Sequence, residues 1–357
     1  MKYLLFFLLF SSSSATNIEF SKSFSIHNHN DYKYIEIFDK NHNILQQITI
    51  GKNFSKIKKK HHKATFIQLP IKKIASLSTT HLFQLKQLNS LSKLNGIGFY
   101  QYLSDLNLKN KLKKQNVKEM GMPGQINFET VVFAKPQLLF SYHVPSDEDT
   151  IKKLSKIGIH TIYIHEYLES HPLAYAEWIK LFACFFEKEQ EAESIFKKIK
   201  NRYLRLSKLL LKVKIKPSVF MNENYGGTWY MPNSQTFMAQ LIKDAGGKYL
   251  FDNLSGTGSS KLSIETVIVK ALKADYWLNP GQVISLNDLK QNDSRYSLFK
   301  AFKKKQIFNN NLRVLKHLPN NYFDEALSQP HLLLADLISI FHPQILKTQA
   351  IWYHRLK

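Results

Sequence analysis

The sequence predicts an α/β protein of two doubly wound lobes joined by a long backbone helix, with an N-terminal β-hairpin ahead of the first lobe. Three observations carry this expectation. Short apolar runs alternate with amphipathic segments from Ile71 to Ile164, the pattern turns wholly helical from Pro172 to Val213, and alternation resumes at Ser218. Strands alternating with helices imply parallel sheets covered by helices, and 357 residues suit two domains better than one core.

In chain order, Lys2 precedes the apolar run Tyr3 to Phe10, and Ser13-Ser14-Ala15 fits a signal-peptidase site. Residues 1–15 are therefore expected to be a cleavable signal peptide and the mature protein to be periplasmic. The run falls short of the roughly 20 apolar residues a membrane span needs, and no later stretch reaches that length, so no transmembrane span is expected. No Cys follows it for a lipid anchor of the usual lipoprotein kind. In residues 16–64, Tyr34–Phe38 and Ile44–Ile50 flank the polar turn Asp39–Asn43 as a hairpin, and the Lys- and His-rich run Lys56–Lys63 reads as an exposed connector.

The first lobe is expected over 65–170. Ile71–Leu77 forms its first strand, and Ser78-Thr79-Thr80 offers cap hydroxyls to a helix with Leu82, Leu85 and Leu88 on one face. Gly96–Gly98, Leu138–Tyr142 and Thr161–Ile164 mark three further strands, the last after a helix over Asp147–Ile157. The region 171–214 is helical, and Glu189–Val213 alone would run about 37 Å. The second lobe, 215–357, opens with strands at Ser218–Asn222 and Trp229–Met231. A helix over Gln235–Ala245 follows, closed by Gly246-Gly247, then a strand at Tyr276–Leu278 and an apolar helix over Tyr322–Phe341. A short echo links the lobes: Asn127-Phe128-Glu129-Thr130-Val131-Val132 is matched by Ser263-Ile264-Glu265-Thr266-Val267-Ile268.

The chain carries 50 Lys and Arg against 27 Asp and Glu, a formal +23. The positives are mostly Lys spread along the sequence, which reads as solvated surface and not as a nucleic-acid footprint. The single Cys, Cys184, excludes an internal disulfide and a Cys-based metal cluster, and its apolar setting reads as a buried inert thiol. Enzyme signatures are missing, and no cofactor is expected. Asp244–Tyr249 contains Gly-Lys without the remaining residues of a phosphate-binding loop, and His165 and His171 are six residues apart, not the four that would put both imidazoles on one helical face.

A family resemblance then becomes specific. Pro70–Thr80 resembles the opening of the mature lobe in iron-chelate and vitamin B12 periplasmic binding proteins, the helical-backbone (class III) receptors of ABC importers. Asn127-Phe128-Glu129 with Ala134–Leu139 is similar to that family's Asn-Leu-Glu and Lys-Pro-Asp element, with Gln137 in place of the Asp. Pro172-Leu173 with Ala176–Lys180 resembles the start of the backbone helix in a Bacteroidetes-like branch. Trp229–Pro232, Asp244–Tyr249, Leu262–Glu265 with Lys273–Trp277, and Pro330–Leu337 with His342-Pro343 continue the likeness in order, over about residues 65 to 345.

The resemblance implies a non-enzymatic, monomeric receptor that holds a metal chelate, a ferric siderophore first, and docks on a permease dimer through one Glu per lobe, Glu129 and Glu265. Ligand contacts in such sheets come from loops beyond the carboxyl ends of strands. That rule nominates Thr79, Thr80, His81, Phe99, Tyr100, Met122, Tyr142 and His143 in the first lobe. In the second it nominates Tyr225, Trp229, Ser259, Ser260, Asn321, Tyr322, Asp324 and Glu325. The alternatives are a cobalamin or haem receptor of the same class, or direct binding of zinc or manganese by His81, His143 and Asp324. A basic nucleic-acid binder and an exported hydrolase using His165–His171 are the readings from other classes.

Overall fold

The computed structural model describes residues 14–53, 61–315 and 317–357, so most of the expected signal peptide and of the basic connector lie outside the described residues. The N-terminal part is a five-stranded sheet and not a hairpin alone: β1 (Ser14–Ala15), β2 (Phe24–Asn28), β3 (Tyr32–Phe38), β4 (Ile44–Gly51) and β5 (Thr65–Gln68) pair in sequence order, antiparallel except for the last pair. The β3–β4 turn is held by Asp39, which accepts from the backbone N–H groups of Asn41 and Asn43 at 2.8 and 2.9 Å. Period-two alternation buries Ile26, Ile35, Ile37, Ile48, Ile50 and Ile67 on the inner side.

The first lobe contains β6 (Ile74–Ser76), α1 (Thr80–Gln87), β7 (Leu94–Ile97), α2 (Leu106–Lys114), β8 (Lys118–Glu119), the ribbon β9 (Gly121–Met122) and β10 (Gln125–Ile126), α3 (Phe128–Ala134), β11 (Leu138–Ser141), α4 (Glu148–Lys156) and β12 (His160–Tyr163). Its sheet has the order β12-β11-β6-β7-β8, parallel throughout. The helices α5 (Pro172–Glu177), α6 (Ile179–Cys184) and α7 (Glu189–Lys208) follow. The helix α7 stops at Lys208, short of Val213, because the N–H groups of Leu209, Leu210, Leu211 and Val213 each bond three residues back, tightening the chain out of the α-helix.

The second lobe is built from β13 (Ser218–Met221), β14 (Asn224–Tyr225), β15 (Thr228–Pro232), α8 (Phe237–Asp244), β16 (Lys248–Tyr249), β17 (Ser259–Leu262), α9 (Ile264–Ala271), β18 (Tyr276–Leu278), α10 (Leu286–Asn292), α11 (Lys300–Lys303), β19 (Ile307–Asn309), α12 (Pro330–Phe341) and β20 (His354–Arg355). The main sheet runs β16-β13-β18-β19-β20, with only β20 antiparallel, and β14-β15-β17 form a separate antiparallel sheet. The expected helix Tyr322–Phe341 is broken into a wide turn at Tyr322–Ala326 and α12. Pro330 lacks the N–H a continuous helix needs and forces Gln329 out of helical geometry (φ −124°, ψ 53°). Gly246, after α8, has φ +75°, and a Cβ there would approach His342 Nε2 to 2.6 Å, so Asp244–Tyr249 is a helix end packed on the C-terminal helix region.

One buried carboxylate joins the N-terminal sheet to the rest. Glu177 accepts from the backbone N–H groups of Glu19, Phe20 and Ser21 at 2.8, 2.8 and 3.0 Å and from Lys180 Nζ at 3.1 Å. Lys180 also donates to the Asn17 carbonyl at 2.8 Å, and Phe24 packs on Trp178 with ring centroids 4.9 Å apart. The string Ala176–Lys180 thus anchors the sheet. The helix α7 bridges the halves, with Lys180 over the Phe196 ring and the Tyr203 hydroxyl donating to Asp244 at 2.6 Å.

Candidate functional site

Because the parallel strands of each sheet end on one side, the segments after β12 face those after β13, β18 and β19. Between them lies a cavity of ≈ 530 Å³, within the range of about 300–1,000 Å³ usual for small-molecule sites. Tyr167 and Tyr175 line it from the first side. From the second come Tyr225, Tyr230, Tyr322, Phe237 and Phe323, with Met221 and Met238. Four asparagines, Asn222, Asn279, Asn310 and Asn320, join Gln282 and Glu223 as its polar groups. Asn222 and Asn279 end β13 and β18 in the left-handed region (φ 65° and 53°), which turns each chain away at the cavity edge. Burial raises the Glu223 carboxyl above its ordinary pKa, opposed by a hydrogen bond from Asn292. A cavity of ≈ 510 Å³ also opens beside Asn28–Lys33 of the N-terminal sheet, away from these strand ends.

The structure distributes the residues nominated from sequence over several roles. Tyr225 and Tyr322 line the cavity, and Tyr142 packs edge-on against Tyr167, with centroids 5.2 Å apart. Trp229 does not reach the cavity. Alternation along β15 turns it inward at 0% exposure, with its Nε1 donating to the Met221 carbonyl at 2.9 Å, while the next residue, Tyr230, faces the cavity. His81 is likewise inside, on the buried face of α1, 3.0 Å from Ser76 Oγ and 3.7 Å from Glu166. Tyr100 is tied to its own lobe by donating to the Val117 carbonyl, with Phe99 set against Tyr102, and Met122 pairs with Gln125 in the β9–β10 ribbon. Ser260 donates to Asn233, and Ser259 pairs with Pro232 at the start of β17. Of the nominated residues, His81, Phe99, Tyr100, Met122, Trp229, Ser259 and Ser260 do not line the cavity.

Thr79, Thr80 and Asp324 join side chains far apart in sequence. Thr79 donates to Asp324 at 2.6 Å and Ser104 to its other oxygen at 2.5 Å, and Gln84 donates to Ser328 at 3.1 Å, so α1 is fastened to the turn before α12. Burial holds the Asp324 carboxyl above its ordinary range, with both hydroxyls working against it. Glu325 pairs with Arg313 at 3.4 Å. Thr80 donates to Glu166 at 2.6 Å. His143 lies 3.5 Å from Glu148, and Asn321 leads into the turn at Tyr322. Among the described residues, no three His, Cys, Asp or Glu side chains are grouped to hold a metal ion, so the His81, His143 and Asp324 set is not formed. His171 Nδ1 caps α5 by accepting from the Leu173 N–H at 3.0 Å.

Glu129 and Glu265 occupy equivalent places. Asn127 caps α3 by accepting from the Thr130 N–H at 3.0 Å, and Ser263 caps α9 by accepting from the Thr266 N–H at 3.2 Å. Each helix feeds the strand paired with its lobe's first strand, β11 on β6 and β18 on β13. Both carboxylates are exposed in the first turn. Glu265 also pairs with Arg295 at 2.9 Å.

Residues 74–310 match the family model described as periplasmic binding protein. The chain belongs to the periplasmic binding protein family. This family is one of binding proteins and not of enzymes. An uncharacterised lipoprotein of Methanocaldococcus jannaschii is 28% identical over 292 residues, 79% of this chain and 67% of that protein. Helicobacter pylori CeuE in a nickel–histidine complex superposes with a TM-score of 0.61 at 16% identity, over 87% of this chain and 89% of that one. A periplasmic haem-binding protein of Pseudomonas aeruginosa gives 0.61 at 16% identity, over 81% and 99%. These likenesses establish the two-lobed fold of this periplasmic binding protein. No helix among its described residues is long and apolar enough to cross a membrane.

Tyr167, Tyr175, Tyr230 and the amide set are not among the residues that the sequence nominates. Asn222 and Asn279 were legible, since each directly follows a strand of the parallel sheet and the strand-end rule applies to both. Tyr167 and Tyr175 come from the connection after β12, which carries no comparable local signal.

Proposed function

We propose that this protein is the substrate receptor of an ABC importer, capturing a metal chelate, a ferric siderophore first, in the cavity between its lobes. The observation that carries the reading is the ≈ 530 Å³ aromatic-walled cavity at the carboxyl ends of two parallel sheets. One structural neighbour in a nickel–histidine complex and another that is a haem-binding protein support a chelate as cargo, and corrinoid and haem are the alternatives within the class. An exported protein acting in the periplasm is supported by a relative described as a lipoprotein, and an N-terminal signal and a monomeric state belong to the same reading. Glu129 and Glu265, exposed at equivalent helix starts on separate lobes, are suited to form charge-assisted pairs with a two-fold permease dimer. The test is a thermal-shift screen of the mature protein with ferric siderophores, cobalamin, haem, zinc and manganese. A cargo present at 100 times its Kd stabilises the fold by about 2.7 kcal/mol and raises Tm. A shift with zinc or manganese alone would move the reading to direct metal binding.

A further inference from the structure

Resting on the receptor reading, we infer that the cavity selects chelates that carry no net negative charge, neutral or cationic complexes with an apolar or aromatic outer surface. The chain holds 50 Lys and Arg and 14 His, yet none of them is among the 18 described residues that line the cavity. In a protein of formal charge +23 a wall free of cations is a local property, distinct from the surface charge. The one acid or base in the lining besides tyrosine is Glu223. It lies against Gly281, where any Cβ would collide with its carboxylate.

An anionic complex entering this space would give up hydration with no counter-charge in return, and Glu223 would repel it. Besides Glu223 and the tyrosine hydroxyls, the polar groups are neutral amides, which hydrogen-bond to uncharged amide, hydroxyl or hydroxamate groups. Asn279 Oδ1 is buried without a hydrogen-bond partner, an acceptor matched to a ligand N–H or O–H donor. The aromatic groups are presented, not packed away: Tyr225 is 77% exposed, Phe323 55% and Tyr167 51%. Aromatic faces attract cations and stack on flat apolar groups, whereas a carboxylate or catecholate oxygen finds only neutral O–H and N–H donors here and no counter-charge.

The experiment titrates the mature protein by quenching of its intrinsic fluorescence with three ferric probes of different charge. These are ferrioxamine B (a cationic trihydroxamate), ferrichrome (a neutral trihydroxamate) and ferric enterobactin (a trianionic tricatecholate), with cobalamin and haem as further ligands. The expected result is binding of one or both trihydroxamates at least about tenfold tighter than the tricatecholate, about 1.4 kcal/mol. Glu223→Gln should weaken the cationic probe several-fold more than the neutral one. Gln282→Lys, at an exposed lining position, should tighten the tricatecholate about tenfold by adding one nearby cation. Equal or tighter binding of the tricatecholate by the parent protein would overturn the inference and leave the receptor reading standing. Failure of every chelate, cobalamin and haem included, would overturn the receptor reading and this inference with it.

Discussion

Replacing Glu177 with Ala removes the acceptor of four hydrogen bonds at once, three from the backbone of Glu19–Ser21 and one from Lys180. Ser21 is buried and its N–H would be left without a partner, a loss of about 1–3 kcal/mol. Glu19 and Phe20 are more exposed, so water replaces the carboxylate there at about 0.5–1.5 kcal/mol each. Lys180 keeps Glu193 at 3.1 Å and the Asn17 carbonyl, which limits its share. The expected total is about 3–5 kcal/mol, the range for breaking a buried ion pair from one side. Glu177→Gln, which keeps one acceptor oxygen, should lose roughly half of that. The assay is urea unfolding with hydrogen exchange at the Glu19–Ser21 amides, which should lose protection before those of β11. A loss under about 1 kcal/mol for Glu177→Ala, with protection of those amides unchanged, would refute the view that this carboxylate holds the N-terminal sheet in place.

Two further outcomes follow from burial. His165 is 6% exposed with both ring nitrogens unpaired, and burial lowers its pKa from 6.5 to about 4. The unfolded chain therefore binds a proton that the folded one refuses. Stability from this group is present above pH 6.5 and is lost as pH falls toward 4, by roughly 3 kcal/mol. Tm measured from pH 7.5 to 4 should fall over that window, and His165→Phe should flatten the curve; an unchanged slope would contradict the assignment. Trp229→Ala should cost about 3–5 kcal/mol in stability while leaving chelate affinity under native conditions within about twofold. Tyr230→Ala should do the reverse, weakening binding by about 3- to 10-fold, the worth of one aromatic contact. The pair is checked by urea unfolding beside fluorescence titration.

The sequence by itself determined the fold class, because alternation of strands and helices and their caps depend on neighbours a few residues away. The caps Asn127 and Ser263, and with them the equivalent placing of Glu129 and Glu265, rest on a bond from side chain to the N–H three residues on. The Gly246 helix end is local in the same sense. Facing is different. Whether Trp229 or Tyr230 meets the cavity depends on which side of β15 the lobe's aromatic core covers. That core is assembled from Phe220, Trp277, Tyr296 and Phe299, residues spread over some 80 positions. His81 faces inward because α1 packs against α6, with Phe182 beside its ring. Only the tertiary structure decided the pairing of Asp324 with Thr79, 245 residues apart, and the seating of the N-terminal strands on Glu177. A side chain's partner across such separations is selected by packing of whole elements, for which local periodicity carries no information.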